Sequence, residues 1–538
     1  MKEKRSITKP RGNQPHWGLL LIAFFVLSFL AFGSVLPGEF VVDDKLWASQ
    51  ATKAGELQSN VQAQQSIYLM FQAWIFRPLH ALFISFLQPA LGIHVAAWHV
   101  VSILLHAFNG FLLYLTLEKF LPQLDWKFRF GASLLFLLHP AGSEAVFWIS
   151  AMSELTATLA MLTTLLLYLR WRSTWTPARC LMLGASAMAA CLFKETAIML
   201  APAILSLELL LGGRTATTFN TRWRWGPAIA VTIAAILFLV MRTIALKSVS
   251  GGQPLQFNAW RLAELGLAHL RFLWLPAAPP FALRPPEVSL FSPFTLSVAL
   301  ILLLGTASLS ARSKATRPIM LFGILWGVLA LWPAYAVAFV GDGFFNGRQA
   351  YIASLGIPLI FGAWLSHMAP HKKMLASVLL FIALCWMAAT TAMSGTVWRS
   401  NLEVYRQAMQ VSPKADGPRV GVATELENQG KIAEAIALYS NLIERARTPK
   451  DKATYLYNMA SLLGQNGRGA ESEVLLYELI QLQPNDSPAW TGLGNIAWSS
   501  GRLEEAESHY RRALEIDPRN QEAATNLSRL RARLESRK

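Results

Sequence analysis

Two acidic residues follow the first apolar stretch of the sequence and are the first candidates for chemistry. Asp43 and Asp44 stand in GEFVVDDKLW, a few residues after that stretch ends. Ionising two adjacent carboxyl groups is costly, so at least one needs a cation, a metal ion or hydrogen-bond donors to stay charged at neutral pH. A carboxylate in this place suits a general base. A solvated loop or a helix cap is the alternative interpretation of the pair.

Three basic residues elsewhere are candidates for binding a phosphate. They are Arg77 in FRPLH, Lys194 in FKETA and Arg348 in NGRQAYIASLG. Arginine presents a planar fork that fits two phosphate oxygens, and lysine supplies a compact charge. Neutralisation of nearby carboxylates in structural ion pairs is the alternative role for these cations.

Further acids lie close to these motifs. Glu144 and Glu154 stand in HPAGSEAVFWISAMSEL, which also contains His139 and no basic residue, and Glu195 directly follows Lys194. Each of these acids by itself could be a capping or snorkelling side chain. Taken with the Asp pair, they predict a shared acidic pocket.

A polar stripe runs along the apolar segment GIHVAAWHVVSILLHAFNGF. A helix would place His99, Ser102, His106 and Asn109 on one face. Polar side chains are costly inside a membrane, so this stripe is expected to face the interior of a helix bundle or a wet cavity. Hydrogen bonding between helices and the lining of a lipid-phosphate site are both compatible with that position.

The elements that hold these residues are predicted to be membrane-spanning helices. Of the 538 residues, 54% are hydrophobic and only 15% are charged, which is unusual for a water-soluble chain. The formal charge of +16 arises almost wholly before residue 399, where there are 29 basic and 14 acidic residues, against 19 and 18 in the remainder. Basic flanks of membrane spans explain this distribution better than a nucleic-acid-binding surface does.

Eleven apolar stretches have the length of a membrane span, roughly 17 to 25 residues. They lie near 17–38, 93–117, 130–147, 153–169, 178–193, 196–212, 226–246, 289–310, 318–340, 350–367 and 374–396. Basic residues concentrate in the N-terminal tail and in every second loop, which predicts a cytoplasmic N-terminus and a C-terminal part on the periplasmic or extracytoplasmic side. A bacterial-type inner membrane is the expected location. Ten of the 14 acids would then lie at the outer face, where two long segments, 39–92 and 247–288, carry apolar stretches that suit the interface.

After residue 398 the composition changes to that of a soluble helical array. Residues 487–520 match the 34-residue tetratricopeptide pattern, a second copy occupies 453–486, and a degenerate copy lies near 416–449. Residues 521–538 are predicted to form a capping helix. The residues that carry the best match are Trp490, Leu493, Gly494, Gly501, Ala506, Tyr510, Ala513 and Pro518. Stacked repeats bury a core that one repeat cannot bury alone, and their concave face is expected to bind an extended peptide or protein segment.

Taken in order, these stretches resemble the transmembrane-and-tetratricopeptide-repeat protein O-mannosyltransferases, which belong to the polytopic glycosyltransferases of the GT-C architecture. FVVDDKLW is similar to that family's acidic motif after the first span, and FRPLHALFISF to its Arg-Pro-Leu segment. WHVVSILLHAFNGFLLY resembles the second span with its His and Asn, and HPAGSEAVFWISAMSELTATLA the His-Pro-x-x-x-Glu-Ala-Val loop. LFKETA resembles the Lys-Glu pair and NGRQAYIASLG the Arg/Tyr motif. An all-α protein is expected, with a GT-C-like bundle over 1–398 and a tetratricopeptide α-solenoid over 399–538.

The resemblance implies an inverting transfer of a sugar from a polyprenyl-phosphate donor to a hydroxyl of an exported protein, which the repeats would present. Asp43 or Asp44 would be the base. The residues that would bind substrate or the lipid phosphate are Arg77, His106, Glu144, Lys194, Glu195, Arg348 and Tyr351. No metal ion is required in principle, because the leaving group is already a phosphate.

The sequence departs from the family at one loop. Gly142 stands where a second His commonly follows His-Pro, and Ala151, Met152, Ser153 and Glu154 replace a Gly-Arg-x-Asp run. The roles of His139 and Glu154 and the identity of the sugar are therefore not carried over.

Two other functions are compatible with the sequence. The first is an oligosaccharide ligase or polymerase of the cell envelope, although such ligases are expected to depend on a later, large outer loop. The second is a non-catalytic scaffold that recruits partners through its repeats, for which Asp43→Asn and Asp44→Asn would have no effect. A transporter is disfavoured, because the sequence has neither repeated halves nor paired Gly/Pro-broken spans.

Overall fold

The structure, a computed structural model, describes residues 16–42, 44, 76–211, 224–246, 273, 316–338, 347–411, 413 and 415–535. Regular structure in these ranges is helical throughout, without a β-strand, so the all-α prediction is confirmed. The chain divides into two units, residues 1–412 and 413–538. The predicted boundary at residue 398 therefore lies before one further helix, Asn401–Val411, that groups with the first unit.

Most described helices of the first unit are apolar. In the described ranges its helices are α1 (Trp17–Phe32), α2 (Pro78–Leu91), α3 (Val95–Phe120), α4 (Trp126–Leu137), α5 (Ser143–Phe147), α6 (Met152–Trp171), α7 (Pro177–Phe193), α8 (Leu200–Leu211), α9 (Gly226–Leu246), α10 (Arg317–Ala338), α11 (Gln349–Ser354), α12 (Gly356–Ser366), α13 (Pro370–Val397) and α14 (Asn401–Val411).

Six helical segments of the described chain are long and apolar enough to cross a membrane. They are Trp17–Val35, Val95–Phe120, Ile149–Trp171, Gly226–Leu246, Gln349–Ser366 and Pro370–Val397. A seventh span results if α4 and Pro140–Phe147, which meet at a bend of 48°, count as one. Ten of the eleven predicted stretches coincide with helices, and the stretch 289–310 lies outside the described residues. The predicted count of eleven spans is therefore not confirmed.

Helix α3 lies at the centre of the first unit and packs against α1, α4 and α6. Small residues permit the closest approaches. A Cβ atom built on Gly110 of α3 would lie 2.7 Å from the Leu137 side chain and 3.1 Å from that of Phe24. Where α10 crosses α12, a Cβ on Gly356 would overlap the carbonyl oxygen of Gly323. Glycine at these crossings lets the helix backbones meet, as is usual between membrane helices.

Four short 3₁₀ segments adjoin the described helices of the first unit: Gly33–Val35, Pro140–Gly142, Ile149–Ala151 and Glu195–Met199. Each follows or precedes a helix that is apolar along most of its length. The described charged residues of the predicted motifs stand at helix ends and in connections, whereas the polar stripe of α3 lies within a span.

The second unit is built of paired helices at the predicted repeat positions. They are α15 (Gly417–Asn428) with α16 (Ile432–Arg445), α17 (Pro449–Gln465) with α18 (Gly469–Leu482), α19 (Ser487–Ser499) with α20 (Leu503–Ile516), and a final helix α21 (Gln521–Glu535). The core between them contains the small and aromatic residues of the repeat pattern, such as Gly494, over which the Tyr510 ring packs.

Each helix pair turns at a glycine in the left-handed region of backbone space. Gly430, Gly467 and Gly501 have φ of 74°, 76° and 78°, and they follow the first helix of the three successive pairs. Residues with a Cβ atom adopt this conformation at a cost, so glycine fits this turn. Proline near the N-terminus of α17 and α19, after the capping residues Thr448 and Asp486, fixes where the next helix starts.

Candidate functional site

One seven-residue segment, 148–154, contacts most of the charged residues that the sequence singled out. It runs from the end of α5 through a 3₁₀ segment into the first turn of α6. The Trp148 ring lies under the Arg348 guanidinium, and Ser150 hydrogen-bonds Asp44. Arg77 donates a hydrogen bond to Ser153, and Lys194 donates one to Glu154. Residues from four distant motifs thus meet around one connection.

Asp44 is buried and its carboxylate accepts several hydrogen bonds. Its Oδ1 accepts the Ser150 backbone N–H at 2.8 Å and the Ser150 hydroxyl at 2.7 Å. Its Oδ2 accepts the backbone N–H of Val41 at 3.3 Å. Hydrogen bonds donated to a carboxylate favour its charged form. Asp43, the other member of the acidic pair, lies outside the described residues.

The segment before Asp44 is attached to the end of the last apolar helix, α13. The Glu39 N–H donates to the carbonyl of Arg399 at 3.0 Å, and the Arg399 Nε donates to the Ser34 carbonyl at 2.7 Å. The Asn401 side-chain oxygen accepts the N–H of Val42 at 2.5 Å. Val42 has a φ of 55°, which is a strained conformation for a β-branched residue and persists only where neighbours hold it.

Arg77 and Glu195 form a two-pronged ion pair. The Arg77 Nε donates to Glu195 Oε2 at 2.8 Å and Nη2 donates to Oε1 at 2.6 Å, while Nη1 reaches the Ser153 hydroxyl at 3.3 Å. Arg77 stands just before α2, and Glu195 opens the 3₁₀ segment after α7. Although partial burial favours the neutral acid, the Arg77 guanidinium holds the pKa of the Glu195 carboxyl well below its usual range.

Lys194 and Glu154 form a second ion pair, and both side chains are buried. Lys194 lies in the connection between α7 and the following 3₁₀ segment, and its Nζ donates to Glu154 Oε1. Burial lowers the pKa of Lys194 to about 8, against the opposing effect of the Glu154 carboxylate. The ammonium therefore loses its proton just above neutral pH, which is far below the range of an exposed lysine.

Arg348 stacks on an aromatic ring and forms no ion pair with another residue of the described ranges. Its guanidinium carbon lies 4.3 Å from the centre of the Trp148 ring, a cation–π contact. The buried carboxylate of Glu144 lies within electrostatic range of Arg348 and of Glu154. Stacking on one face leaves the edge of a guanidinium, with its N–H groups, available for hydrogen bonds.

His106, Asn109 and Tyr351 form a buried hydrogen-bonded chain. The Asn109 Nδ2 donates to Tyr351 Oη at 3.0 Å and to the Leu155 carbonyl at 3.0 Å. His106 Nε2 lies 2.8 Å from the Leu137 carbonyl and must donate to it, so Nδ1 accepts the Tyr351 hydroxyl at 2.8 Å. The predicted stripe on α3 is buried along its whole length, since His99 and Ser102 are also fully inaccessible.

His139 has a structural position at the break between α4 and α5. Its Nδ1 accepts the Ala141 N–H at 3.0 Å, so Nε2 carries the proton and donates to the Leu273 carbonyl at 3.2 Å. Among the described residues, no group of three or more His, Cys, Asp or Glu is arranged to hold a metal ion.

Three hydrogen-bonding residues of this site were not identified in the sequence. Ser150, Ser153 and Asn401 each hold a predicted site residue or its neighbour. Serine and asparagine are frequent at helix starts and turns, and nothing in the local sequence distinguishes these positions. Their partners lie 106, 76 and 359 residues away, which sequence spacing cannot indicate.

Family models match the second unit. Residues 487–520 and 423–487 each match a tetratricopeptide repeat model, so the predicted repeats are confirmed. Among solved structures, the chain is similar to "First TPR of Spaghetti (RPAP3) bound to HSP90 peptide SRMEEVD", at 26% identity over 23% of this chain and 95% of that one, with a TM-score of 0.21. That score is too low to support a fold assignment. The assignment of tetratricopeptide repeats depends on the repeat models and the helix pairs.

Curated relatives cover both units. The chain is 22% identical to Protein O-mannosyl-transferase F38B6.6 of Caenorhabditis elegans, over 79% of this chain and 62% of that protein. It is 23% identical to Protein O-mannosyl-transferase TMTC1 of Homo sapiens, over 78% and 54%, and 25% identical to Protein O-mannosyl-transferase TMTC4 of Mus musculus, over 80% and 66%. The chain thus spans between about half and two thirds of the length of these relatives. The predicted resemblance is confirmed: over about four fifths of its length, this repeat-bearing chain is similar to transmembrane-and-tetratricopeptide-repeat protein O-mannosyltransferases.

Proposed function

We propose that the protein is a membrane glycosyltransferase that moves a sugar from a polyprenyl-phosphate donor to a hydroxyl of an exported polypeptide. The observation that carries this proposal is the meeting of one buried carboxylate and three cations at segment 148–154. Asp44 hydrogen-bonds Ser150, and the side chains of Arg77, Lys194 and Arg348 contact Ser153, Glu154 and Trp148. The names of the relatives favour mannose as the sugar and protein as the acceptor.

The carboxylate suits the removal of a proton. As the acceptor hydroxyl attacks the anomeric carbon of the sugar, a new carbon–oxygen bond forms and the hydroxyl proton passes to a carboxylate of the acidic pair. Asp44, with two hydrogen bonds from Ser150, is held in one orientation for that step. Attack from the face opposite the phosphate inverts the anomeric centre, as in GT-C glycosyltransferases.

The cations suit the departure of the phosphate. When the bond between the anomeric carbon and the phosphate oxygen breaks, its electron pair remains on the lipid phosphate, and fixed positive charge stabilises the product. Arg348 is the foremost candidate, since its guanidinium stacks on Trp148 and has no carboxylate within salt-bridge distance among the described residues. Arg77 and Lys194 each already bind a carboxylate, which favours a supporting role for them.

The repeats suit an acceptor polypeptide. Tetratricopeptide arrays present extended concave surfaces to peptides or proteins. We place the exported acceptor on this array, the N-terminus of the chain in the cytoplasm, and the repeats on the extracytoplasmic side, in agreement with the distribution of basic residues.

A transfer assay with purified protein tests the proposal. Wild type is given labelled polyprenyl-phosphate sugars and polypeptides rich in Ser and Thr, and release of polyprenyl phosphate and labelling of the acceptor are measured. Asp44→Asn and Asp43→Asn are compared with Asp125→Asn, which changes the exposed capping residue of α4. We expect transfer by wild type and Asp125→Asn and its loss in at least one of the other two variants.

Two results would contradict the proposal at different levels. If wild type releases no lipid phosphate with any donor, the transferase function is wrong and a scaffold function is favoured. If wild type transfers sugar and both acidic-pair variants match it, the protein is a transferase whose base lies elsewhere.

A further inference from the structure

Three buried oxygen atoms around the start of α6 have no hydrogen-bond partner among the described residues, and a buried carboxylate lies near them. The three atoms are Asn109 Oδ1, Glu154 Oε2 and Thr158 Oγ1. The carboxylate is that of Glu144, which faces the backbone N–H groups of Gly347 and Arg348. These four side chains are at most 2% exposed. Buried polar atoms are nearly always paired, with protein, water or ligand, so three unpaired oxygens beside a carboxylate indicate a binding partner.

Contacts among these residues bring them to one side of α6. Glu154 and Thr158 are one helical turn apart and share a face. Asn109 donates to the carbonyl of Leu155 between them, and it also bonds Tyr351 Oη. Tyr351 and Glu144 are both within electrostatic range of Glu154. The other carboxylate oxygen of Glu154, Oε1, accepts a hydrogen bond from Lys194. This contact joins the group to the candidate phosphate-binding cations.

We propose that these oxygens bind the ring hydroxyls of the donor sugar. This inference depends on the proposed transferase function and adds to it a subsite formed by Asn109, Glu144, Glu154 and Thr158. The oxygens of Asn109, Glu144, Glu154 and Thr158 can all accept hydrogen bonds, and a sugar ring offers several hydroxyl donors close together. The acceptor polypeptide contributes a single reacting hydroxyl and the polyprenyl chain none, so neither satisfies the set.

Carboxylates make this subsite selective. A hydroxyl that donates to a buried carboxylate forms a charge-assisted bond, and an analogue without that hydroxyl leaves the buried charge unpaired. A metal ion is disfavoured as the occupant, because no cluster of three or more His, Cys, Asp or Glu exists in the described chain.

Thr158→Val removes one acceptor with almost no change of volume and is the main test. Thr156→Val is the matched control, because Thr156 is buried on the same helix and its hydroxyl already donates to the carbonyls of Met152 and Ser153. Thr158→Ser keeps the hydroxyl. Binding of polyprenyl-phosphate mannose and of its monodeoxy analogues, each lacking one ring hydroxyl, is measured at equilibrium, and transfer is measured separately.

For wild type we expect at least one analogue to bind about three- to tenfold more weakly than the parent donor, the range for one hydrogen bond. Thr158→Val should abolish that difference for one analogue, whereas Thr156→Val and Thr158→Ser should retain it. Glu144→Gln, as an independent variant, should reduce the difference for another hydroxyl.

The outcomes separate this inference from the proposed function. If wild type transfers sugar and the variants discriminate among the analogues as wild type does, the subsite is wrong and the transferase stands. Loss of discrimination in Thr156→Val as well would indicate a packing effect and also overturn the subsite. Analogue-specific binding that depends on Thr158, without transfer by wild type, would support the subsite and refute the transferase. Absence of donor binding would refute both.

Discussion

Ser150 donates two hydrogen bonds to the same oxygen of Asp44, one from its backbone N–H at 2.8 Å and one from its hydroxyl at 2.7 Å. The serine opens the connection into α6, so the orientation of the candidate base is tied to the helix that also carries Glu154. Ser150, which takes no part in the proposed reaction, therefore orients Asp44, the proposed base.

Replacing Ser150 by alanine should slow transfer without weakening donor binding. A hydrogen bond to a charged group contributes about 1.5 to 3 kcal/mol, so its loss in the transition state lowers kcat roughly tenfold or more. Steady-state kinetics measure both quantities. Ser206→Ala is the control, since that buried hydroxyl only donates within its own helix, to Ala203. An unchanged kcat in Ser150→Ala would show that Asp44 is not the base.

Donor affinity should fall as the pH rises past about 8. The pKa of Lys194 lies near this value because burial opposes its charge, and the neutral amine no longer attracts a phosphate. The KM for the donor is measured from pH 6.5 to 9.5, where Lys194→Arg should keep it nearly constant because guanidinium remains protonated. A wild-type KM that does not change with pH would limit Lys194 to its ion pair with Glu154.

Stability should change in the opposite direction over the same range. Folding lowers the pKa of Lys194, so the unfolded chain binds its proton more tightly, and the cost of burying the ammonium is present in full below about pH 8. That cost disappears as the pH rises towards the unfolded value of 10.5. The unfolding temperature of wild type, compared with that of Lys194→Met, should therefore rise between pH 8 and 10.5.

Variants of the Arg77–Glu195 ion pair can separate a structural role of Arg77 from a role in binding the donor phosphate. Arg77→Met leaves the Glu195 carboxylate without its main partner. The free energy of unfolding should fall by an amount on the order of 1 kcal/mol for this partly exposed pair, and the unfolding temperature should fall with it. The double variant with Glu195→Met should recover much of that stability. If Arg77 also binds the donor phosphate, the double variant remains weak in donor binding, and full recovery of both properties would assign Arg77 to the ion pair alone.

A chain that ends at residue 412 should bind donor, whereas one that ends at residue 398 should not. The shorter chain lacks Arg399 and Asn401, which hold the segment before Asp44. Asn401→Ala in the full chain tests the same contact with a single change and should reduce transfer. Equal donor binding by the two truncated chains would show that the acidic segment is held in another way.

In the repeat unit, Gly501→Ala should destabilise and Gly469→Ala should not. Both added methyl groups find space, but Gly501 has a φ of 78° that alanine adopts at a cost of about 1 kcal/mol. Gly469 stands in the first turn of α18, where alanine is a better helix former. Thermal unfolding of residues 413–538, followed by circular dichroism, should separate the two variants by several degrees.

Local patterns predicted most of the helices, because hydrophobic length and repeat spacing act over a few turns of chain. The same holds for the charged motifs, since Arg77, Lys194 and Arg348 stand in short recognisable stretches. The partners of Asp44 could not be predicted in this way. Ser150 and Asn401 reach it or its neighbour through tertiary packing across 106 and 359 residues, and their residue types are common in turns of any function.

The attachment of the acidic segment to Arg399 and Asn401 also sets an order for biogenesis. The contacts join residues up to 365 positions apart in the chain, so a ribosome must synthesise the whole membrane part before they can form. Until then the Val42 N–H lacks Asn401, the partner that holds its strained conformation. Under the proposed function, a partly inserted chain transfers no sugar, because the residues after α13 complete the segment that α1 begins.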